Sequence, residues 1–307
     1  MVIMNNLSSI TPQDIEEINS LLTKTFENDE LTINQFLDGF KRENKLLTLK
    51  AAQNGQISGV ITSWKNKVHP HSVYISYVID LEWQHNFSVA LELFTKLNNL
   101  LNSPSMYQIT LPEKWRELIS ICERLGFKEY RKTYISVLNL PSKMNQISNI
   151  SIVRESIKLV NLSEIKEDKK KRNELISLVI DTYANTHKDN PLGIFDNNFW
   201  EKKIFAKDTI YEGSFIAIER NRIIGFALLH YSDNPNRYEF GWRGTVERVE
   251  ISFIQYLTYK QIIYSNQMGI MELEGEIDTT DPYSLSMFEQ FCMYKEQSFV
   301  TLQKIVK

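Results

Sequence analysis

The feature that most constrains the fold of this chain is an internal repeat. The phrase LGFKEYRKTYISVLNL at residues 125–140 has a ragged echo, CMYKEQSFVTLQKIV, at residues 292–306. Further pairs occur in the same order: SLLTKTF (20–26) with SLVIDTY (177–183), QISGVI (56–61) with RIIGFA (222–227), and the strand ends at Ile79 and Val246. Ordered pairs with a nearly constant offset are hard to obtain by chance, so we interpret the chain as a duplicated module.

The offsets between the pairs also predict an insertion. Gly59 and Gly225 are 166 residues apart, and Gly126 and Met293 are 167 residues apart. The first pair of segments is offset by only 157 residues. The second copy therefore carries about ten extra residues, which we expect in a loop within residues 187–200.

The boundary between the copies is set by composition. The stretch PSKMNQISNIS at residues 141–151 is polar and poorly periodic, which is typical of a linker. We therefore predict an N-terminal module at residues 1–140, a linker at 141–151 and a C-terminal module at 152–307.

Hydrophobic periodicity predicts the same order of elements in both copies. In the first copy we expect a helix that begins after Thr11-Pro12 and an Asn54-Gly55 hairpin turn. Its other elements are strands at 46–52, 57–65, 72–81, 106–111 and 127–139 and helices at 88–101 and 112–124. The second copy has strands at 152–160, 214–219, 222–231, 237–247, 270–278 and 294–306 and helices at 172–186, 252–268 and 282–291.

Composition excludes several classes of protein. The net charge is −3, and the one dense basic run, at 169–172, follows acidic residues, so we expect no nucleic-acid partner. We expect neither a secretory signal nor a membrane span, because no window approaches about 18 uninterrupted apolar residues. Two cysteines far apart suit a reducing cytoplasm. His69 and His71 lack a third ligand, so no metal is expected.

The order of elements, with the phrase ERLGFK after the last helix of the first copy, resembles the GNAT superfamily of acyl-CoA N-acyltransferases. The resemblance covers both halves as a tandem pair. It implies an α/β (α+β) fold of two GNAT-like modules, each a mixed, mostly antiparallel sheet flanked by helices. It also implies acetyl-CoA as co-substrate and the amine of a small molecule or peptide as acceptor.

The family holds the diphosphate of acetyl-CoA on a loop between its fourth strand and the following helix, with the pattern Gln/Arg-x-x-Gly-x-Gly/Ala. Free amides and the helix dipole make such a loop an anion site. In the first copy Gln84 matches the pattern, but Phe87 and Val89 stand where the glycines belong. By this resemblance the cofactor-binding residues are Ile79, Gln84, His85, Asn86, Phe87 and Ser88.

The corresponding loop of the second copy contains no glycine after residue 244. WRGT at 242–245 resembles the family's strand end, and Ser252 with Gln255 has the pattern of a capping box. Glu247 and Glu250 would repel an anion there, so the neutral loop of the first copy is the better phosphate host. By the resemblance the cofactor-binding residues here are Gly244, Thr245, Val246, Ser252 and Phe253.

Acyl transfer to an amine needs a base for the ammonium and an acid for the departing thiolate. Family members often place a Glu on the fourth strand and a Tyr near the end of the last helix. Glu239 is the predicted base. Cys122 stands at the Tyr position of the first copy and Phe288 or Glu289 at that of the second, so the predicted acid is Tyr283, one turn earlier. A surface role for Glu239, a structural Cys122, and capping by the 278–281 loop are the alternatives that the residues leave open.

The sequence thus favours a cytoplasmic N-acyltransferase, with chemistry in the C-terminal module. A non-catalytic GNAT-fold protein that binds a ligand or partner through decayed CoA sites is the alternative function. We expect neither nucleic acid nor membrane as a partner, and homo-oligomer formation stays open.

Overall fold

The computed structural model describes residues 6–102, 104–143 and 156–306 of the chain. These residues form two compact units. The first unit combines Met1–Arg131 with two later segments, Asn190–Gly193 and Phe299–Lys307. The second unit consists of Lys132–Asp189 and Ile194–Ser298. The predicted linker, residues 141–151, lies outside the described residues from 144 onward.

The first unit is a mixed sheet flanked by helices. A short 3-10 turn at Pro12–Asp14 precedes the first helix. The last strand, β12 (Tyr294–Ile305), joins this sheet through Phe299–Ile305. The strand order is β1-β2-β3-β4-β5-β12, in which only β4 and β5 pair in parallel. Its elements are β1 (Asn6–Ser9), α1 (Ile15–Thr25), α2 (Glu30–Lys41), β2 (Lys45–Gln53), β3 (Gln56–Lys65), β4 (Val73–Ile79), α3 (Asn86–Leu100), β5 (Met106–Pro112) and α4 (Arg116–Arg124).

The second unit repeats this plan with the strand order β6-β11-β10-β9-β8-β7, in which β10 and β11 are parallel. Its elements are β6 (Lys128–Asn139), α5 (Leu140–Lys143), β7 (Ile157–Asn161), α6 (Leu162–Ile165), α7 (Lys169–Thr186), α8 (Asn197–Ile204), β8 (Phe215–Glu219), β9 (Arg222–Tyr231), β10 (Arg237–Thr245), α9 (Phe253–Gln267), β11 (Glu272–Asp278), α10 (Pro282–Phe291) and β12 (Tyr294–Ile305). Two modules, each with a mostly antiparallel sheet, confirm the predicted fold class.

The final strand of each sequence half pairs in the other unit. Residues Phe299–Ile305 of β12 run antiparallel to β5 in the first unit. Residues Thr133–Asn139 of β6 run antiparallel to β11 in the second unit. Each compact unit is therefore completed by a strand from the opposite half of the sequence.

The structure supports the repeat and corrects its register by one residue. Gly59 pairs with Ile79 and Gly225 pairs with Thr245, so Ile79 corresponds to Thr245 rather than to Val246. After the last helix of each copy the left-handed residue is Gly126 (φ 91°) in one and Cys292 (φ 47°) in the other. Gly126 thus corresponds to Cys292 instead of Met293, because helix termination depends on the left-handed position. The offset is 166 at these three pairs.

The inserted residues lie where the offsets predict them. The loop between α7 and α8 spans residues 187–196, whereas residues 26–29 alone join α1 and α2. The core of the first unit contains the helical face that the pattern predicts, with Ile18, Leu21 and Leu22 buried, although Ile15 is exposed. Among the described residues no helix has the length and apolarity needed to cross a bilayer.

Gly59 provides a stability test with a matched control inside the repeat. A Cβ at Gly59 would lie 2.8 Å from Val89 Cγ1 and 3.0 Å from Ile79 Cγ2, whereas one at Gly225 would have no neighbour closer than 3.3 Å. We expect Gly59→Ala to lower the free energy of unfolding by about 1–3 kcal/mol, because α3 packs directly on β3. Gly225→Ala is the control and should cost less in the same urea titration. Equal losses would contradict this packing argument.

Candidate functional site

Several titratable side chains of the second unit cluster where β10 and β11 separate. The two strands pair only from Arg237–Glu272 to Phe240–Gly275, and beyond that point they diverge. On its other side β10 carries a β-bulge between Phe240 and Arg243. Bulges of this kind bend a strand and re-aim its side chains, often next to active sites.

Glu239 lies on β10 just before this bulge. Its neighbours across the ladders are His230 on β9 and Glu274 on β11. Burial of part of the carboxyl group raises the pKa of Glu239, and the negative charges of Glu274 and Glu276 raise it further. The side chain nevertheless remains exposed to solvent. A solvent-reachable carboxylate with an elevated pKa can take up a proton at a pH closer to neutrality than an ordinary Glu.

Charged neighbours hold the side chains around Glu239 in place. Arg237 Nε lies 2.8 Å from Glu272, and its Nη1 lies 3.1 Å from Glu274. The ring of His230 lies 3.5 Å from Asp208, and burial lowers the pKa of this histidine. A Cβ at residue 241 would collide with that ring, so a glycine is needed at the bulge.

The structure does not bring Glu239 and Tyr283 together. The Tyr283 hydroxyl donates to the carbonyl of Thr245 at 3.3 Å, at the far end of β10. Glu239 lies six residues earlier on that strand, which at about 3.3 Å per residue is roughly 20 Å away. A base and an acid so far apart cannot serve the same reacting atoms.

The polar loop at residues 278–281 has structural partners. Asp281 is the N-cap of α10 and accepts the amide of Tyr283 at 2.9 Å. Thr279 accepts the amide of Lys132, and Asp278 accepts the hydroxyl of Thr133. Capping and strand contacts therefore account for this loop.

The loop before α9 offers little to an anion. The amides of Phe253, Ile254 and Gln255 donate to the carbonyls three residues earlier, each at 3.0 Å. The Ser252 hydroxyl donates to Glu250 at 3.4 Å and caps no helix amide, so the predicted capping box is wrong. Backbone turns satisfy the first amides of α9 before a ligand could reach them.

The remaining predicted residues of this loop are held by the fold. The amide of Val246 donates to Ile224, and a Cβ at Gly244 would collide with Thr182 of α7. Thr245 donates its hydroxyl to Val249 at 3.4 Å. These contacts fix the end of β10.

Arg243 fills the space where β10 departs from β11. It is only 5% exposed, and its guanidinium donates to Thr258 of α9, to the Met287 sulfur of α10 and to the carbonyl of Gly241. Burial lowers the pKa of this arginine to about 10. A large polar side chain thus occupies the gap between the strands and the two covering helices.

The loop before α3 in the first unit is different. Within the part of the chain that the structure describes, the backbone amides of Phe87 and Ser88 donate no hydrogen bond, and the N-cap His85 makes no side-chain cap. The Arg124 guanidinium lies 3.8 Å from the centre of the Phe87 ring. Free amides at a helix start with a cation beside them fit an anionic group such as a diphosphate.

The other predicted residues of the first loop shape this helix start. Asn86 donates its side-chain amide to Leu81 and to Glu117. Lys24 pairs with both Asp80 and Glu82, at 3.0 and 2.7 Å, so one of these two negative charges is offset. Ile79 is buried at the end of β4, and Gln84 lies in the turn before the helix. Of the two loops, the first has the free amides and the nearby arginine that suit a bound anion.

Sequence reasoning missed the residues that correspond to Glu239 in the first unit. Tyr74 pairs with Trp64 and Gln108 just as Glu239 pairs with His230 and Glu274. The register of the ladders, and not any motif, reveals this equivalence. At these positions the second unit has two carboxyl groups and an imidazole, and the first unit has a phenol, an indole and an amide.

Cys122 is a buried structural thiol. It is fully buried and donates to the Tyr77 hydroxyl at 3.2 Å, and burial raises its pKa to about 12. Tyr77 in turn donates to the carbonyl of Leu118. Among the described residues, no group of three or more His, Cys, Asp or Glu side chains is placed to hold a metal ion.

Comparison with known proteins adds the fold to this geometry. No protein-family model matches the sequence, and no curated protein matches it. Similar solved structures include a GCN5-related N-acetyltransferase from Sphaerobacter thermophilus, with TM-score 0.61, 13% identity and coverage of 99% of this chain and 96% of that one. A tandem GNAT protein from the clavulanic acid biosynthesis pathway has TM-score 0.55, 10% identity and 98% coverage of both chains.

A third similar structure is the GCN5-related glucosamine N-acetyltransferase region of a fungal multi-domain β-N-acetylglucosaminidase. It has TM-score 0.60 and 10% identity, and covers 99% of this chain but 38% of that one. Identities this low show the fold alone, which is the fold of these GNAT acetyltransferase structures.

The raised pKa of Glu239 predicts that this residue makes the stability of the protein depend on pH. The usual carboxyl pKa is 4.5 and the folded-state value is higher, so the folded state binds this proton more tightly than the unfolded chain. Stability from this group is fully present below the unfolded pKa and is lost as the pH rises through the folded pKa. Because Glu239→Gln has no charge to penalise, we expect a higher Tm than wild type at neutral pH.

The same melting curves across pH supply the control and the contrary outcome. The difference in Tm should close as the pH falls toward 4.5, where the wild-type carboxyl becomes protonated. Glu167→Gln, a change to an exposed side chain elsewhere in the second unit, should show no such pH dependence. A Glu239→Gln variant that melts below wild type at neutral pH would contradict the assignment.

Proposed function

We propose that the chain is an N-acyltransferase that moves an acetyl group from acetyl-CoA to the amine of a small-molecule or peptide acceptor. Glu239 is the general base of this reaction. The observation that carries the proposal is the exposed carboxyl group with a raised pKa beside the β10 bulge, with Glu274 and Glu276 around it. The tandem GNAT fold supports it.

The charges around Glu239 suit an amine that arrives protonated. Glu274 and Glu276 make this face of the sheet negative, which attracts a cation and disfavours an anionic acceptor. Glu239 in its carboxylate form then takes a proton from the ammonium group, which frees the nitrogen lone pair. When bound, acetyl-CoA would supply the acetyl group that this neutral nitrogen attacks, and as the carbon–sulfur bond breaks the second proton lost by the nitrogen would pass to the sulfur, so that CoA leaves as a thiol. Tyr283 lies too far from Glu239 to share this step.

The residues that would hold acetyl-CoA best are those at the start of α3. The free amides of Phe87 and Ser88 would face its phosphates, and Arg124 would add a positive charge. In the second unit the amides at the start of α9 are already satisfied, and Glu247 and Glu250 lie in the same loop. We therefore expect the first unit to bind acetyl-CoA more tightly than the second, and transfer at Glu239 would use the weaker site of its own unit.

This difference favours a second candidate function. The chain would be a non-catalytic protein that binds acyl-CoA in its first unit, and Arg243 in its second unit would close the gap between β10 and β11. Both candidates suit a cytoplasmic protein with the free thiols Cys122 and Cys292. They differ in whether an amine is acetylated.

Acetyl-CoA binding separates the two loops. Asn86→Asp adds a negative charge at the start of α3 and should weaken binding by about 0.3–1 kcal/mol, an effect that shrinks with added salt. Glu247→Gln/Glu250→Gln should leave the tighter site unchanged. Calorimetric titration with acetyl-CoA measures both. Tighter binding in the double variant with no effect of Asn86→Asp would move the site to the second unit.

The rate of acetylation tests Glu239 itself. Over a panel of primary amines, Glu239→Gln should lower the acetyl transfer rate on the order of 10²-fold while acetyl-CoA affinity holds. The wild-type rate should rise with pH through the elevated pKa of Glu239, and the variant should lack this limb. Glu167→Gln is the charge-matched control. Unchanged transfer in Glu239→Gln would end the assignment, and binding without any transfer would leave the second candidate.

A further inference from the structure

The inserted loop of the second copy contributes four residues to the first unit. Asn190–Gly193 clusters with the first unit although the flanking residues belong to the second. The Gly193 amide donates to the carbonyl of Val68 at 2.7 Å, and a Cβ at Gly193 would lie 3.3 Å from Pro70. We call Asn190–Gly193 the Asn190 segment.

The side chain of Asn190 is buried in a fully matched polar site. Its amide nitrogen donates to the Tyr74 hydroxyl at 2.8 Å and to the Gln108 side-chain oxygen at 3.0 Å. Its side-chain oxygen accepts the Ser72 hydroxyl at 2.8 Å. Asn190 and Gln108 are each 4% exposed and Ser72 is fully buried, so these bonds form away from solvent.

The main chain of Asn190 is also held. Its carbonyl accepts a hydrogen bond from Nδ1 of His69 at 2.7 Å, and because a carbonyl can only accept, that ring nitrogen carries the proton. His69 is 7% exposed. The site therefore recognises both the carboxamide and the peptide group to which it is attached.

The polarity of the site matches a primary carboxamide. It presents two acceptors to an NH2 group and one donor to the adjacent oxygen. A carboxylate would face the acceptor oxygen of Gln108 without a donor of its own, and an ammonium group would leave the Ser72 hydroxyl unpaired. Buried polar groups left unpaired in this way carry a large penalty, which is how such sites discriminate.

The site lies at strand positions that the second unit also contains. Tyr74 and Gln108 correspond by ladder register to Glu239 and Glu274 of the second unit. The NH2 group of Asn190 thus donates to the two strand positions that carry carboxylates in the other copy. In the first unit the chain occupies this place with its own residue.

We propose that the first unit contains a carboxamide-binding site, formed by Ser72, Tyr74, Gln108 and His69, which the chain fills with its own Asn190. Free primary amides, or a peptide asparagine, are the ligands that this site accepts when the Asn190 segment leaves it. The occupied site closes this end of the first unit to an amine acceptor.

Hydrogen exchange of the full chain, followed by mass spectrometry, tests the proposal without acyl-CoA or turnover, so its outcome is independent of the proposed activity. Asn190→Ala should speed exchange at least about tenfold in peptides covering residues 66–76 and 104–110, the factor that corresponds to loss of one buried hydrogen bond. Acetamide should restore protection, and acetate at the same concentration should not. Lys188→Ala, an exposed neighbour in the same loop, is the control.

Asn190→Asp supplies a second variant that keeps the shape of the side chain. It removes the NH2 donors, so it should also speed exchange in these peptides and respond to acetamide. Unchanged exchange of peptides from β8 and β9 would show that each variant is folded. Normal protection in both variants, or faster exchange that acetamide leaves unaltered, would overturn the proposal.

Discussion

The chemistry of both units depends on how far two parallel strands stay paired. The β4–β5 pair keeps its register from Val73–Tyr107 only to Ile75–Ile109, and β10–β11 only to Phe240–Gly275. Once the strands part, side chains must fill the opening, because buried backbone and voids are costly. Tyr77 fills one opening and Arg243, at the equivalent position, fills the other. Tyr77 is a buried aromatic side chain and Arg243 is a buried cation.

The two copies share the same backbone fold but differ in charge at equivalent strand positions. The strand positions beside the parting point hold Tyr74 and Gln108 in one unit, with Glu239 and Glu274 in the other. Neutral donors and acceptors in a buried place select for shape and hydrogen-bond pattern. Carboxylates favour positive charge nearby, and the charge of Glu274 adds to the burial that raises the pKa of Glu239. Equivalent strand positions thus carry neutral polar groups in one unit and carboxyl groups in the other.

Much of the fold could be predicted because local signals agree with it. The strand at Arg222–Tyr231 and the helix at Pro282–Phe291 have the predicted bounds, since a polar turn precedes one and an Asp-Pro cap begins the other. The one-residue error in the repeat arose because Cys292 takes the left-handed position that glycine holds in the first copy. A non-glycine residue in that conformation leaves no clear mark in the sequence.

The candidate site was harder to predict because its geometry is tertiary. The position of Glu239 on a strand could be predicted from the sequence. Tyr283 was assigned to the same reaction from the family pattern, but the structure places it at the far end of that strand. The Ser252 pattern suggested a cap, yet backbone turns satisfied the amides first. Nothing local to Asn190 indicates that it is buried against Tyr74 and Gln108, far away in the sequence. Such pairings depend on the whole ladder.

The exchanged terminal strands have a consequence for synthesis of the chain. The sheet of the first unit needs Phe299–Ile305, which are made after all its other strands, as a partner for β5. Until then β5 presents open hydrogen-bonding groups, which are a hazard for pairing with other chains. The N-terminal half cannot complete its sheet before these residues are made, and its folding is governed by contacts of very high sequence separation, which form slowly. A truncated chain would lose the closing strand of the half that it still contains.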